Sequence, residues 1–91
     1  MIYEWDENKR AINLGKHGLD FASADLVYES PTKLTLPCKT ETEERWQDIA
    51  EIDGTLLVLS LVYVYRADAV RFISFRYANN KERKLFYGKH R

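Results

Sequence analysis

The chain opens on an apolar and polar alternation, Ile2 to Trp5, that predicts a short strand. Asp6 then stands where an N-cap belongs, because its carboxylate can accept from N–H groups that a helix start leaves without partners. Glu7 suits the first turn, and Ala11, Ile12 and Leu14 give a narrow apolar face. Gly18 can take the left-handed conformation that stops a helix, so the spacing predicts one over Glu7 to His17. Asp20 is a second N-cap candidate. Phe21, Ala24, Leu26, Val27 and Tyr28 recur at helical spacing until Ser30-Pro31 ends the segment.

Beyond Pro31 the period changes from helix to strand. Lys33 to Leu36 alternates, Pro37 to Thr42 reads as a loop, and Glu44 to Ile52 as another strand. Asp53-Gly54 is a two-residue hairpin signal. The following run, Thr55 to Tyr65, is almost continuously apolar and predicts a central strand buried on both faces. Arg66 to Ala69 turns the chain, and Val70 to Tyr77 alternates again. Strict alternation puts Val70, Phe72, Ser74 and Arg76 on one face, and Arg71, Ile73, Phe75 and Tyr77 on the other. Asn79 followed by Glu82 resembles a capping box opening a helix from Lys81 to about Tyr87. The expected fold is α+β in a single domain over residues 1–91: a short N-terminal strand, two helices, an antiparallel β-meander and a C-terminal helix.

A chain of 91 residues buries roughly 60–70% of its extended surface, enough for one modest core. The single cysteine, Cys38, offers no internal disulfide and no zinc site. The opening residues carry no basic and apolar signal pattern, and the apolar run Leu56 to Tyr65 is short of the roughly 20 residues that span a bilayer. A cytoplasmic protein away from membranes is expected.

The net charge is +0, but its distribution is uneven. From Arg66 to Arg91 there are eight bases and two acids; from Glu41 to Asp53 there are six acids and one base. A basic end suits a partner that carries phosphates, and it equally suits a solvated tail. No metal-ligand cluster, Gly-rich phosphate loop or nucleophile with a base in register stands out. What remains is Lys16 and His17 at the end of the first helix, Arg45 beside Trp46, Arg71 and Arg76 on the last strand, and Arg83 and Tyr87 on the last helix. Cutting RNA without a metal requires proton transfers at the 2′-OH and the leaving oxygen, and cations that neutralise the phosphorane. Histidine, arginine and lysine supply those functions, and aromatic rings can stack unpaired bases. Each residue also has an ordinary role: His17 as a cap on the helix dipole, Arg83 as helix surface, Tyr87, Trp5 and Trp46 as packing. Arg76, beside residues that look buried, needs a partner or a ligand.

Three blocks resemble a known family. Trp5-Asp6, Lys9, Asn13, Lys16-His17-Gly18 and Phe21 form the first; Glu44-Arg45 with Ile49 the second. Arg71 to Ala78, with Lys81-Glu82-Arg83 and Tyr87, form the third. In this order they resemble the BrnT toxins of type II toxin–antitoxin systems. The resemblance implies a RelE-like fold, an endoribonuclease that inhibits translation and growth, and a BrnA-type antitoxin bound to it as a hetero-oligomer. It calls for no metal or cofactor. Carried over residue by residue, it makes Lys16, His17, Arg45, Arg76 and Arg83 catalytic candidates and Arg71 and Tyr87 substrate-binding candidates, with RNA as substrate. His17 would handle a proton, Arg45 and Arg76 would grip the scissile phosphate, and Lys16 and Arg83 would hold flanking phosphates. Tyr87 would contact a base or support an arginine, and Glu82 would be structural. Two positions depart from the family pattern: Ala50, where glycine is usual, and Phe75, where a small residue is usual. A non-catalytic module that binds nucleic acid or antitoxin is the competing reading, with a structural subunit of a larger complex third.

Overall fold

The structure, a computed structural model, describes residues 1–52 and 55–89. Its elements are β1 (Ile2–Glu4), α1 (Glu7–His17), a 3-10 turn (Phe21–Ser23), α2 (Asp25–Tyr28) and β2 (Leu34–Lys39). They continue with β3 (Glu44–Ile52), β4 (Leu57–Arg66), β5 (Ala69–Tyr77) and α3 (Asn80–Lys89). The strands form one five-stranded sheet in the order β1-β5-β4-β3-β2. Strands β2 to β5 are the antiparallel meander, and β1 joins β5 in parallel, with Tyr3 opposite Val70. The class is α+β, as the pattern predicts.

Local signals set the helix ends. The Asp6 side chain accepts from the N–H groups of Asn8 at 2.8 Å and Lys9 at 3.3 Å, and Gly18 closes α1 at φ 71°. At α3 the capping box is reciprocal: Glu82 N–H donates to Asn79 Oδ1 at 2.8 Å, and Asn79 N–H to Glu82 Oε1 at 2.9 Å.

Four expectations change. The second helix is split: Asp20 caps the 3-10 turn through Ala22 N–H, and α2 follows as a separate four-residue turn. Strand β2 continues through Pro37 to Lys39, where a loop was expected. Strand β2 is an edge of the sheet, where a residue without an N–H is tolerated. Strand β4 begins at Leu57 instead of Thr55, whose hydroxyl serves the turn by donating to Ile52 O at 2.7 Å. The Asp53-Gly54 signal lies outside the described residues; β3 and β4 pair antiparallel on either side of it, with Ile52 opposite Leu57.

The fourth change concerns β5. Val62 of β4 faces Ser74 and Tyr63 faces Phe72, so Ile73 is an extra residue, a β-bulge. Alternation restarts there. Val70, Phe72 and Phe75 share one face, and Arg71, Ser74 and Arg76 share the other, because Arg71 lies opposite Val64 and Arg76 opposite Ser60.

The face bearing Val70, Phe72 and Phe75 is the main core. Phe21, Ala24, Val27, Ala50, Leu61 and Tyr63 complete it, with Tyr3 stacked on Phe72 at 5.2 Å and Trp5 at 6.0 Å. Ala50 and Phe75, the two departures from the family pattern, are both spent on this core. The opposite face has a smaller cluster, Ile49, Val58 and Phe86, where α3 covers one end of the sheet. The rest of that face carries polar residues.

Helix α1 lies along β5. Asn13, buried, donates to Phe75 O at 2.7 Å and Leu19 O at 3.0 Å and accepts from Phe75 N–H at 3.1 Å. Its amide thus completes the edge of β5 beyond the short strand β1. Among the described residues no helix is long and apolar enough to cross a membrane.

Candidate nucleic-acid interface

The bulge at Ile73 decides which cations meet. Arg71 and Arg76 point to the same face as Val62 and Val64, and so does Arg45, two residues before Gln47, which lies opposite Val62. Trp46 points the other way, into the core. Arg45 and Arg71 stand level with Val64, two strands apart, which separates their backbones by about 10 Å. Arg76 sits four residues further along β4, about 13 Å away.

The three arginines are held differently. Arg45 donates through Nε to Glu43 at 2.9 Å, and Arg71 reaches Glu4 at 3.9 Å. Both pairs are partly exposed to solvent, so water screens them and a phosphate can replace the carboxylate at little cost. Arg76 instead makes a two-pronged pair with Glu82, Nη1 to Oε1 at 2.8 Å and Nη2 to Oε2 at 2.9 Å. Gln47 Nε2 donates to the same carboxylate at 2.6 Å and to Ser60 Oγ at 2.9 Å.

These bonds outweigh burial and hold the Glu82 carboxyl down to about 2, with Arg76 the largest cause. Arg76 is raised in turn, chiefly by the same pair. A carboxyl lowered by folding stabilises the fold above its ordinary value of 4.5, and that contribution is lost as pH falls toward about 2. Its size is about 3 kcal/mol for a shift this large. Urea midpoints measured across that window should fall for the wild type and fall less for Glu82→Gln. A difference between the two that stays constant with pH refutes the linkage.

Lys16 and His17 end α1 beside a hollow of about 260 Å³ lined by Lys9, Ile12, Asn13, Lys16, His17, Ile73 and Ser74. Ser74 belongs to both regions: it lines this hollow, and it shares its face with Arg71 and Arg76. Ser74 thus links the hollow beside Lys16 and His17 to the face that carries Arg71 and Arg76, while Arg45 lies two strands away on that face.

Arg83 and Tyr87 lie elsewhere. Tyr87 donates its hydroxyl to Glu51 at 2.9 Å, and this bond is the main reason its phenol is raised; Arg83, one turn earlier, opposes the shift. Glu51 is six residues beyond Arg45 on β3, about 20 Å along the strand, so this pair flanks the far side of α3.

Sequence reasoning missed Gln47, Ser74 and Lys9. Gln47 follows Arg45 by two on a strand, which is signal enough for a shared face. Lys9 precedes Lys16 by two helical turns. Ser74 had no local signal, since strict alternation paired it with the core. Among the described residues no group of three or more His, Cys, Asp or Glu side chains is placed to hold a metal ion.

Residues 5–82 match the family described as ribonuclease toxin, BrnT, of type II toxin-antitoxin system. The chain belongs to the BrnT family. It is similar to the Brucella abortus ribonuclease toxin BrnT, known from a crystal structure at 1.1 Å resolution. The two are 30% identical, with a TM-score of 0.67, over 88% of this chain and all (100%) of that one. No curated protein matches the chain. BrnT membership makes this a chain of a ribonuclease toxin family and implies an antitoxin partner.

Proposed function

We propose that this BrnT-family chain is a cytoplasmic endoribonuclease that cuts single-stranded RNA without a metal ion, and that it arrests translation and growth. The observation that supports the reading is the bulge at Ile73, by which Arg71 and Arg76 share the sheet face that also carries Arg45. Arg45 and Arg71, with exchangeable partners, take phosphates along the strand; Arg76 stabilises charge at the scissile group. His17, at the adjoining hollow, serves a proton transfer, and Lys16 holds a flanking phosphate. Ile12 and Ile73 offer a base an apolar wall. A BrnA-type antitoxin that lays acidic residues over this face neutralises the toxin as a hetero-oligomer.

The test is cleavage of labelled single-stranded RNA in excess chelator. The wild type should cut, and Arg71→Ala should lower kcat/KM by about 10²-fold with an unchanged melting temperature. RNA that is bound with steep salt dependence and stays whole supports the non-catalytic module instead. Co-expression with the product of a neighbouring antitoxin gene should restore growth.

A further inference from the structure

We infer that Arg76 meets an RNA phosphate only through the Nε–Nη2 edge of its guanidinium, and that Glu82 is the positioning residue that aims this edge. The inference rests on the nuclease reading of this face. An arginine head carries five N–H bonds in two usable forks, one at its end and one along its side. Glu82 fills the end fork, with Nη1 at 2.8 Å and Nη2 at 2.9 Å. The other Nη1 hydrogen is directed to Tyr77 O at 3.2 Å. Left over are Nε–H and the outer Nη2–H, parallel to each other and of the spacing that matches two phosphate oxygens.

Arg76 does not let go of Glu82 to reach a ligand. The Glu82 side chain is 12% exposed, and its carboxylate is held from behind by Asn79 N–H at 2.9 Å and Gln47 Nε2 at 2.6 Å. Exchange would leave a buried charge with its strongest partner gone, whereas the carboxylates paired with Arg45 and Arg71 are 29% and 39% exposed and can be resolvated. Glu82 therefore does two jobs: it caps α3 and locks the plane of Arg76. Because it stays ionised across the ordinary pH range, it is a poor proton acceptor, which leaves proton handling to other groups.

The test uses the 15N-labelled chain and a single-stranded DNA oligonucleotide, which has the phosphates but no 2′-OH to be cut. The arginine Nε–H signal that disappears in Arg76→Lys identifies Arg76. On saturation that signal should shift, and Arg71 should shift with it. In kinetics Arg76→Lys keeps a cation for Glu82 but has no second fork, so kcat should fall about 10²-fold with KM changed less than the kcat. A Glu82→Gln variant should lower kcat, and its Arg76 signal should no longer settle at one shifted position. If the Arg71 signal moves and the Arg76 signal stays, the inference is wrong and the nuclease face survives. If neither moves at saturating oligonucleotide, the nuclease face itself is wrong.

Discussion

Asp48→Ala is expected to remove about 3–5 kcal/mol of stability, the largest loss of any single substitution considered. Asp48 is fully buried on the core side of β3 and accepts three hydrogen bonds: from Lys33 Nζ at 2.8 Å, Thr35 Oγ1 at 2.6 Å and Tyr63 OH at 3.0 Å. Alanine would take the acceptor from all three donors and leave the buried Tyr63 hydroxyl without its partner. The Lys33 ammonium would keep Tyr28 O at 2.8 Å and the Tyr28 ring at 4.2 Å, but it would lose the carboxylate it pairs with. Burial, with Asp48 next to it, pushes the Tyr63 phenol up, so it stands as a neutral donor to this carboxylate. For a domain whose whole stability is about 5–15 kcal/mol, such a change approaches unfolding. Asp48→Asn keeps Oδ1 for Thr35 and Tyr63 and sets an amide against Lys33, so it should fall between. Urea unfolding measures both. A loss under about 1 kcal/mol for Asp48→Ala contradicts the account.

Asn13→Ala should cost about 3 kcal/mol, because it strips the partners from both backbone groups of Phe75 in a buried edge. Asn13→Asp retains the acceptor for Phe75 N–H but turns a buried carboxylate oxygen toward the carbonyls of Phe75 and Leu19, so it should recover none of that stability. The readout is the urea midpoint together with hydrogen exchange at the Phe75 amide, which should quicken in both variants. Cleavage should also drop, since Ser74 and Arg76 flank the loosened residue. Normal exchange at Phe75 in Asn13→Ala would show that the edge is held by something else.

Features written in a few adjacent residues were legible in the sequence. The Asp6 and Gly18 caps fix α1 to the residue, the Asn79 and Glu82 box fixes the start of α3, and β3 has the expected bounds. Features decided by pairing were not. Pro37 looks like a break until its strand proves to be an edge. The extra residue at Ile73 exists only relative to β4, so strict alternation put Arg71 and Arg76 on opposite faces. The need of Arg76 for a partner was readable, whereas the identity of that partner, six residues on, depended on α3 folding back over the sheet. The family resemblance supplied Lys16, His17, Arg45, Arg71, Arg76, Arg83 and Tyr87 together. It carried no geometry, so it could not separate Arg83 and Tyr87, beside Glu51, from the arginines around the bulge.

The parallel placement of β1 governs when the molecule can finish folding. Tyr3 lies against Val70 and Glu4 against Arg71, so the first strand has no place to dock until nearly the last one has been made. Closing so long a loop is entropically costly and slows the search for the native topology. On a ribosome, the nascent chain cannot assemble its basic face before β5 clears the exit tunnel.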